Sequence, residues 1–217
     1  MIYPTICLDN FFNDPLKILN FSKTLEFFKD KEGAWPGERT RPLHEIDFNF
    51  FNYFGSKVMS ILYPNVKEIK FNCSLSFQKI QNSYINNGWV HSDIGCSDFT
   101  CIVYLSHHKN CGTSIYDQKK IGCSVLNEKN KKESYTKNLF LEENKYLEEN
   151  NNQFEESIII KSKFNRLIIF DAAQFHSAQK FTEKDVLEER LTLIGFFSNI
   201  YFPNIKYNGI QHKRILF

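Results

Sequence analysis

The segment Trp89-Val90-His91-Ser92-Asp93 sets an imidazole and a carboxylate two positions apart. On extended backbone alternate residues share a face, so His91 and Asp93 stand side by side as two legs of a metal site. Alone the pair is a weak signal, because six His and nine Asp in 217 residues yield about 0.25 His-x-Asp pairs by chance. A second stretch, Arg166-Leu-Ile-Ile-Phe-Asp171, reads as a buried strand ending in a turn, after which comes His176. Taken singly, a histidine beside Phe175 is an ordinary, partly buried, hydrogen-bonded residue. Taken with His91 and Asp93 it completes two imidazoles and one carboxylate on one face with positions left open, the set a non-haem ferrous ion uses to activate oxygen. His107 and His108 follow Ser106 in a polar turn and read as bystanders.

Arg190 opens the apolar run Arg190-Leu-Thr192-Leu-Ile-Gly-Phe-Phe197. An arginine entering a core cannot be neutralised and needs an anionic partner. Glu183, Glu188 or Glu189 supplies one in a structural reading. In a functional reading Arg190 is a bidentate clamp for the carboxylate of a small acid. Both readings stay open at this point.

Elements that position these residues are legible from periodicity. Asn13 or Asp14 followed by Pro15 starts a helix whose apolar residues Ile18, Phe21, Leu25 and Phe28 recur at steps of three and four. Phe48, Phe51, Phe54, Val58 and Ile61 mark a second helix that stops before Pro64, and Gly, Pro and charged residues between the two mark a loop. Beyond Pro64 short apolar or alternating runs predict strands: VKEIKFNCSLSFQKI, WVHSD, FTCIVYLS, TSIY, SIIIKS, RLIIFDA and LTLIGFFSNIYF. Helices first and strands afterwards predict an α+β fold, a β-sandwich or barrel carrying helices on one side. Length favours one domain over residues 1–217, interrupted by a polar Lys/Glu/Asn-rich insertion at about 117–156 that is either a solvated excursion or a lid.

Composition narrows the function classes. A formal net charge of +2 and pI near 8.1 give no strong signal for duplex nucleic acid. No apolar run is long enough for a membrane span, and the opening residues lack the pattern of a signal peptide, so a soluble, intracellular (cytoplasmic) protein is expected. The six cysteines, with no Cys-x-x-Cys pair, are then free thiols. Twenty-two phenylalanines are compositional bias without an evident mechanism.

The order His-x-Asp, then Gly-Thr-Ser-Ile-Tyr116, then Arg166-Leu-Ile-Ile-Phe-Asp-Ala-Ala-Gln-Phe-His176, then Arg190-Leu-Thr-Leu-Ile-Gly-Phe-Phe197 resembles the Fe(II)- and 2-oxoglutarate-dependent dioxygenases of the prolyl-hydroxylase-like kind. The likeness runs from about Ile69 to Phe202. It implies a double-stranded β-helix (jelly-roll, cupin-like) core with the N-terminal helices packed on one sheet. It also implies that His91, Asp93 and His176 are the iron ligands, that Arg190 clamps the distal carboxylate of 2-oxoglutarate, and that Tyr104 and Thr192 assist it. The implied reaction consumes O2 and 2-oxoglutarate, releases succinate and CO2, and hydroxylates an unactivated C–H bond of a small-molecule or peptidyl substrate. Relatives that halogenate lack the carboxylate that is Asp93 here. Arg39 and Arg41, with Trp35, either line the mouth and favour an anionic substrate or are solvated loop residues. Two other classes compete: a non-catalytic β-helix module that binds a ligand or protein, and a metal-dependent hydrolase or isomerase on a cupin-like barrel, which the lack of a ligand-rich His-x-His strand disfavours.

Overall fold

The chain opens with β1 (Ile6–Leu8) and α1 (Pro15–Lys23). Asp14 caps α1 by accepting the Lys17 amide at 3.1 Å, and Pro15 occupies the first turn, where its missing N–H costs nothing. The helix stops at Lys23, short of the Leu25 and Phe28 that its spacing had included. The hydroxyls of Ser22 and Thr24 donate to the carbonyls of Leu19 and Phe21, competing with continuation of the ladder, and Phe28 pairs with Arg39 instead. After β2 (Glu38–Arg39) and α2 (Leu43–Ile46), α3 (Phe48–Leu62) is capped by Asp47, which accepts the Phe50 amide at 2.9 Å, and ends ahead of Pro64.

The strands follow as β3 (Lys70–Ile80), β4 (Phe99–Tyr104), β5 (Thr113–Gln118), β6 (Phe154–Ile160), β7 (Arg166–Asp171), β8 (Phe175–Ala178) and β9 (Arg190–Tyr201), with α4 (Glu128–Thr136) and α5 (Lys145–Asn151) between β5 and β6. The computed structural model describes residues 2–30, 33–84, 87–120, 128–136, 144–183 and 186–203. Within these the strands form a six-stranded sheet in the order β1-β7-β4-β9-β3-β2 and a three-stranded sheet in the order β6-β5-β8, every pair antiparallel. Helices and antiparallel sheets are thus mixed in one chain, as the change of period at Pro64 predicts.

Alternation along the strands sorts side chains into two environments. Leu191, Leu193 and Phe197 of β9, Phe99, Cys101 and Val103 of β4, and Leu75 and Phe77 of β3 join Phe54, Val58 and Met59 of α3 in one core between helices and large sheet. The opposite parity, with Arg190, Thr192, Ile194 and Phe196 of β9 and Thr100 and Ile102 of β4, lines a cavity whose other wall includes Thr113, His176, Ser177 and Ala178 of the small sheet. A one-residue slip would exchange the two sets, so the apolar core fixes which residues reach the cavity. The phenylalanines now have a use: Phe99 and Phe197 stack at 4.7 Å, and Phe11 meets Phe12 and Phe54 edge-on in the same layer.

Several expectations need correction. The Trp89–Asp93 segment is extended but lies outside the named strands; a His91↔His176 bridge joins it to the exposed edge of β8. Gly88 permits this approach, since a Cβ there would lie 2.6 Å from the Ala178 nitrogen. His176, by contrast, follows the turn at Ala172–Gln174 as its sequence context predicts, and lies within β8. The polar segment begins later and ends earlier than 117–156, because Asp117 and Gln118 belong to β5 and Phe154–Glu156 to β6. Its helices are not merely solvated: Tyr135 and Leu147 bury with Ile80, Tyr84, Trp89 and Phe181. Phe140, Leu141 and Cys123 lie outside the described residues. Cys7, Cys73, Cys96, Cys101 and Cys111 are free thiols, and among the described residues no helix is long and apolar enough to cross a membrane.

Candidate metal centre

His91, Asp93 and His176 converge at the cavity wall. The Asp93 Oδ1 lies 3.6 Å from His91 Nε2 and its Oδ2 lies 3.5 Å from His176 Nε2. Each imidazole is oriented from behind: Nδ1 of His91 meets the Trp89 carbonyl at 2.8 Å and Nδ1 of His176 meets the Gln174 carbonyl at 3.0 Å. A carbonyl only accepts, so both Nδ1 atoms carry hydrogen, and Nε2 is the atom each ring turns towards the carboxylate. The backbones are locked in register, His91 N donating to His176 O at 3.1 Å and His176 N to His91 O at 2.8 Å. Asp93 is held by its own amide, which donates to Ala172 O at 2.8 Å, and by Thr100, whose hydroxyl donates to Oδ2 at 2.6 Å.

The electrostatics match a cation site. Burial, then the charge of Lys131 and of His176, pushes the His91 pKa below its ordinary value, which favours the neutral imidazole that ligates a metal. Burial works against the Asp93 carboxylate, but His176, His91 and the Thr100 hydrogen bond outweigh it and hold its pKa down. Two imidazole nitrogens and one carboxylate, with no fourth protein ligand among the described residues, fit an octahedral divalent ion that keeps open positions.

At the other end of the cavity stands Arg190, 4% exposed. Its Nε donates to the Cys111 carbonyl at 3.2 Å. The three glutamates that might have paired with it are engaged elsewhere. Glu183 accepts from the Lys109 amide and from Asn110 Nδ2, Glu188 from His107, and Glu189 faces Lys79 at 3.7 Å. Burial accordingly lowers the Arg190 pKa, with only Tyr104 and Cys111 opposing. Beside it Thr192 Oγ1 is buried without a hydrogen-bond partner, and the Tyr104 hydroxyl meets Thr113 Oγ1 at 2.8 Å. A buried guanidinium and an unsatisfied hydroxyl facing one space form a receptor for an anion.

A second cluster, His108, Cys111 and Glu183, also brings ligand atoms together. His108 is buried, contrary to the polar turn expected there, with Nε2 3.0 Å from the Glu188 carbonyl. The Glu183 carboxylate is already committed to Lys109 and Asn110, so this group reads as a hydrogen-bonded loop anchor.

Several contributors escaped the sequence. Thr100 shares the face of Tyr104 by simple alternation in FTCIVY and was findable that way. Asn150 and Asn151 were not. Asn150 Nδ2 donates to Val90 O at 2.9 Å, Asn151 Nδ2 to Gly88 O at 2.9 Å, and Asn151 Oδ1 accepts from Val90 N at 2.9 Å, while Tyr135 Oη accepts the Trp89 amide at 2.7 Å. The polar segment therefore supplies the backbone partners that a further strand would have given to the ligand-bearing segment.

Residues 3–197 match the sequence profile of a family described as a family of unknown function (DUF6445), and the chain belongs to that family. No curated protein matches. Among solved structures the chain is similar to HygX from Streptomyces hygroscopicus, determined with nickel and 2-oxoglutarate bound, at a TM-score of 0.56 and 11% identity, covering 89% of this chain and 82% of that one. It is similar to SnoN, a non-haem alpha-ketoglutarate-dependent epimerase from nogalamycin biosynthesis, at a TM-score of 0.56 and 11% identity over 97% and 88% of the two chains. A 2OG-Fe(II) oxygenase family oxidoreductase from Burkholderia pseudomallei matches at a TM-score of 0.50 and 12% identity, over 89% and 84%. The fold is that of the 2OG-Fe(II) oxygenases.

Proposed function

We propose that this chain is a single-domain Fe(II)- and 2-oxoglutarate-dependent dioxygenase that hydroxylates an unactivated C–H bond of a small molecule. The observation that carries the reading is the pairing of His91, Asp93 and His176 with a buried Arg190 that has no carboxylate partner among the described residues, at opposite ends of one cavity of about 450 Å³. The two antiparallel sheets that share this cavity support a double-stranded β-helix core.

When bound, ferrous iron with 2-oxoglutarate and O2 supplies the oxidising chemistry, yielding succinate and CO2 together with the oxidised product. The chain's own part is positional. His91 and His176 would hold the ion through Nε2, with the Trp89 and Gln174 carbonyls fixing the tautomer, and Asp93 would complete one face. Arg190 would take the distal carboxylate of the keto acid in a bidentate pair, with Thr192 Oγ1 and the Tyr104–Thr113 hydroxyl pair beside it. Trp35, Trp89, Tyr135 and Phe181 wall the cavity and would exclude water from the oxidised position. The similar fold of HygX, determined with nickel, 2-oxoglutarate and hygromycin B bound, supports the same assignment.

The test is equilibrium binding of Fe(II) and 2-oxoglutarate, followed by measurement of succinate formed per 2-oxoglutarate consumed under O2. One ion per chain, 2-oxoglutarate affinity that depends on Arg190, and succinate formation are expected. A chain that binds both ligands but never forms succinate, with any compound offered, is a non-catalytic binding module instead.

A further inference from the structure

We infer that Ser162 is a positioning residue for the co-substrate clamp: through the loop that ends at Cys111 it sets the carbonyl that orients Arg190. This rests on the oxygenase reading of the cavity and adds to it the residue that aims the clamp.

The guanidinium is the part that needs aiming. Arg190 is the first residue of β9, and its side chain makes one hydrogen bond among the described residues, from Nε to the Cys111 carbonyl at 3.2 Å. An arginine side chain has wide rotamer freedom, and a bond at Nε fixes both the place and the plane of its fork. The two Nη groups are then left to meet both oxygens of one carboxylate end-on. Holding the fork ready before the ligand arrives lowers the ordering cost of binding. Displacing the Cys111 carbonyl would therefore turn the clamp with Arg190 itself unchanged.

Cys111 belongs to neither β4 nor β5, so its neighbours must place it. Ser162, buried in the turn between β6 and β7, does so directly. Its hydroxyl donates to the His108 carbonyl at 2.5 Å and accepts the Cys111 amide at 3.2 Å. One hydroxyl has one hydrogen to give and lone pairs to receive, so both bonds form together and pin the loop at His108 and at Cys111. Gly112 makes the approach possible: a Cβ there would lie 2.0 Å from the Ile160 carbonyl oxygen and 2.8 Å from the Ser162 nitrogen.

The turn that carries Ser162 is itself fixed to the clamp. Asn165, at a φ of 63°, donates its amide to the Tyr104 carbonyl at 2.8 Å, and the Tyr104 hydroxyl meets Thr113, two residues beyond Cys111. Glu183 grips the same loop from a more exposed side, accepting the Lys109 amide at 2.7 Å and Asn110 Nδ2 at 2.6 Å. That grip is on the middle of the loop, whereas Ser162 bonds Cys111 itself. The loop anchor around Glu183 and the Ser162 hydroxyl thus serve one end, the fixed direction of a cation that no glutamate of the neighbouring chain holds.

Calorimetry on the nickel-loaded chain with two keto acids tests the inference. 2-Oxopentanoate keeps the keto acid head of 2-oxoglutarate and carries a methyl group in place of the distal carboxylate, so the ratio of the two affinities reads the clamp alone. The unmodified chain should prefer 2-oxoglutarate by about a hundred-fold. Ser162→Ala should cut that preference about ten-fold, entirely through 2-oxoglutarate, with 2-oxopentanoate and nickel affinities within about two-fold of the unmodified chain. In an Arg190→Ala background the same change should have no further effect on the preference, because Ser162 acts only through the guanidinium. Glu183→Ala, at the more exposed position, should lower the preference about three-fold and decides the matter if Ser162→Ala does not fold. An equal loss for both keto acids overturns the inference, since that is general damage to the cavity. A preference unchanged in Ser162→Ala, or in Glu183→Ala where that variant decides, also overturns it, as does an additive loss in the double variant. An unmodified chain that takes up nickel but binds both keto acids alike overturns it at its premise, the oxygenase reading, and is told apart from the other failures because no variant is needed to see it.

Discussion

The side-chain amide of Asn151 grips the chain on both sides of Trp89, donating to Gly88 O and accepting from Val90 N, each at 2.9 Å. It is a single residue acting as a neighbouring strand, one position before His91. Asn151→Ala leaves a buried donor and acceptor unpaired, for a loss of about 1–3 kcal/mol of stability. Because the strip it holds carries His91, metal affinity is expected to fall as well, by about ten-fold. Denaturant melts and nickel titration of the same variant check both, and unchanged metal affinity would reduce Asn151 to a structural role.

Removing about Glu128 to Asn152 should for the same reason damage the metal centre itself. Read as a solvated excursion or a lid, the segment could be lost without loss of metal binding, whereas Tyr135, Asn150 and Asn151 brace the Trp89–Val90 backbone. The deletion variant is expected to bind metal weakly or to be insoluble. A soluble variant with full nickel affinity would restore the choice between a solvated excursion and a lid.

His91→Ala and His176→Ala should each greatly weaken Fe(II) binding with the fold retained. Thr100→Val is subtler: it keeps all three ligands but removes the hydrogen bond to Asp93 Oδ2, and a loss of about 10–100-fold in metal affinity is expected by titration.

Arg190→Ala should raise the 2-oxoglutarate requirement while iron binding stays nearly intact, with Tyr104→Phe acting in the same direction more mildly. Since none of Glu183, Glu188 and Glu189 loses a partner in the Arg190 variant, its melting temperature should change little. Collapse of the fold without a ligand effect would refute the clamp.

The Asp9 carboxylate, held by hydrogen bonds from Arg166 first and Lys163 second, has its pKa lowered to about 2 and ties the end of β1 to the start of β7. A lowered folded-state pKa gives stability that is present above the unfolded value near 3.8 and is lost as pH falls through about 2. The pair is a third exposed, so solvent screening limits the effect to about 0.2–1 kcal/mol. Melts of Asp9→Asn against the unmodified chain should differ at pH 7 and coincide near pH 2.

What the sequence revealed divides along physical lines. His91, Asp93 and His176 were legible because their chemistry is in the side-chain types and their grouping needs only two extended segments to meet. The two faces of β4 and β9 followed from alternation. The fate of the glutamates did not, since Glu188 and Glu189 adjoin Arg190 in the chain yet turn to His107 and Lys79. Asn150 and Asn151 look like part of a polar tract, and their worth arises only when α5 is set against Gly88 and Val90. The early end of α1 was hidden in two hydroxyls that pattern analysis treats as neutral.

The reciprocal backbone bonds between His91 and His176 also bear on the order of events during folding. The two histidines are remote in the chain, and β4 to β7 are made between them, so closing that loop carries an entropic cost that the intervening sheets must first offset. In the folded chain His91, Asp93 and His176 meet only where β8 pairs with β5 and the Gly88–His91 strip pairs with β8. If these residues hold the metal as proposed, its capture is expected late in folding. Refolding rates should be insensitive to metal concentration, with added metal slowing only the unfolding limb.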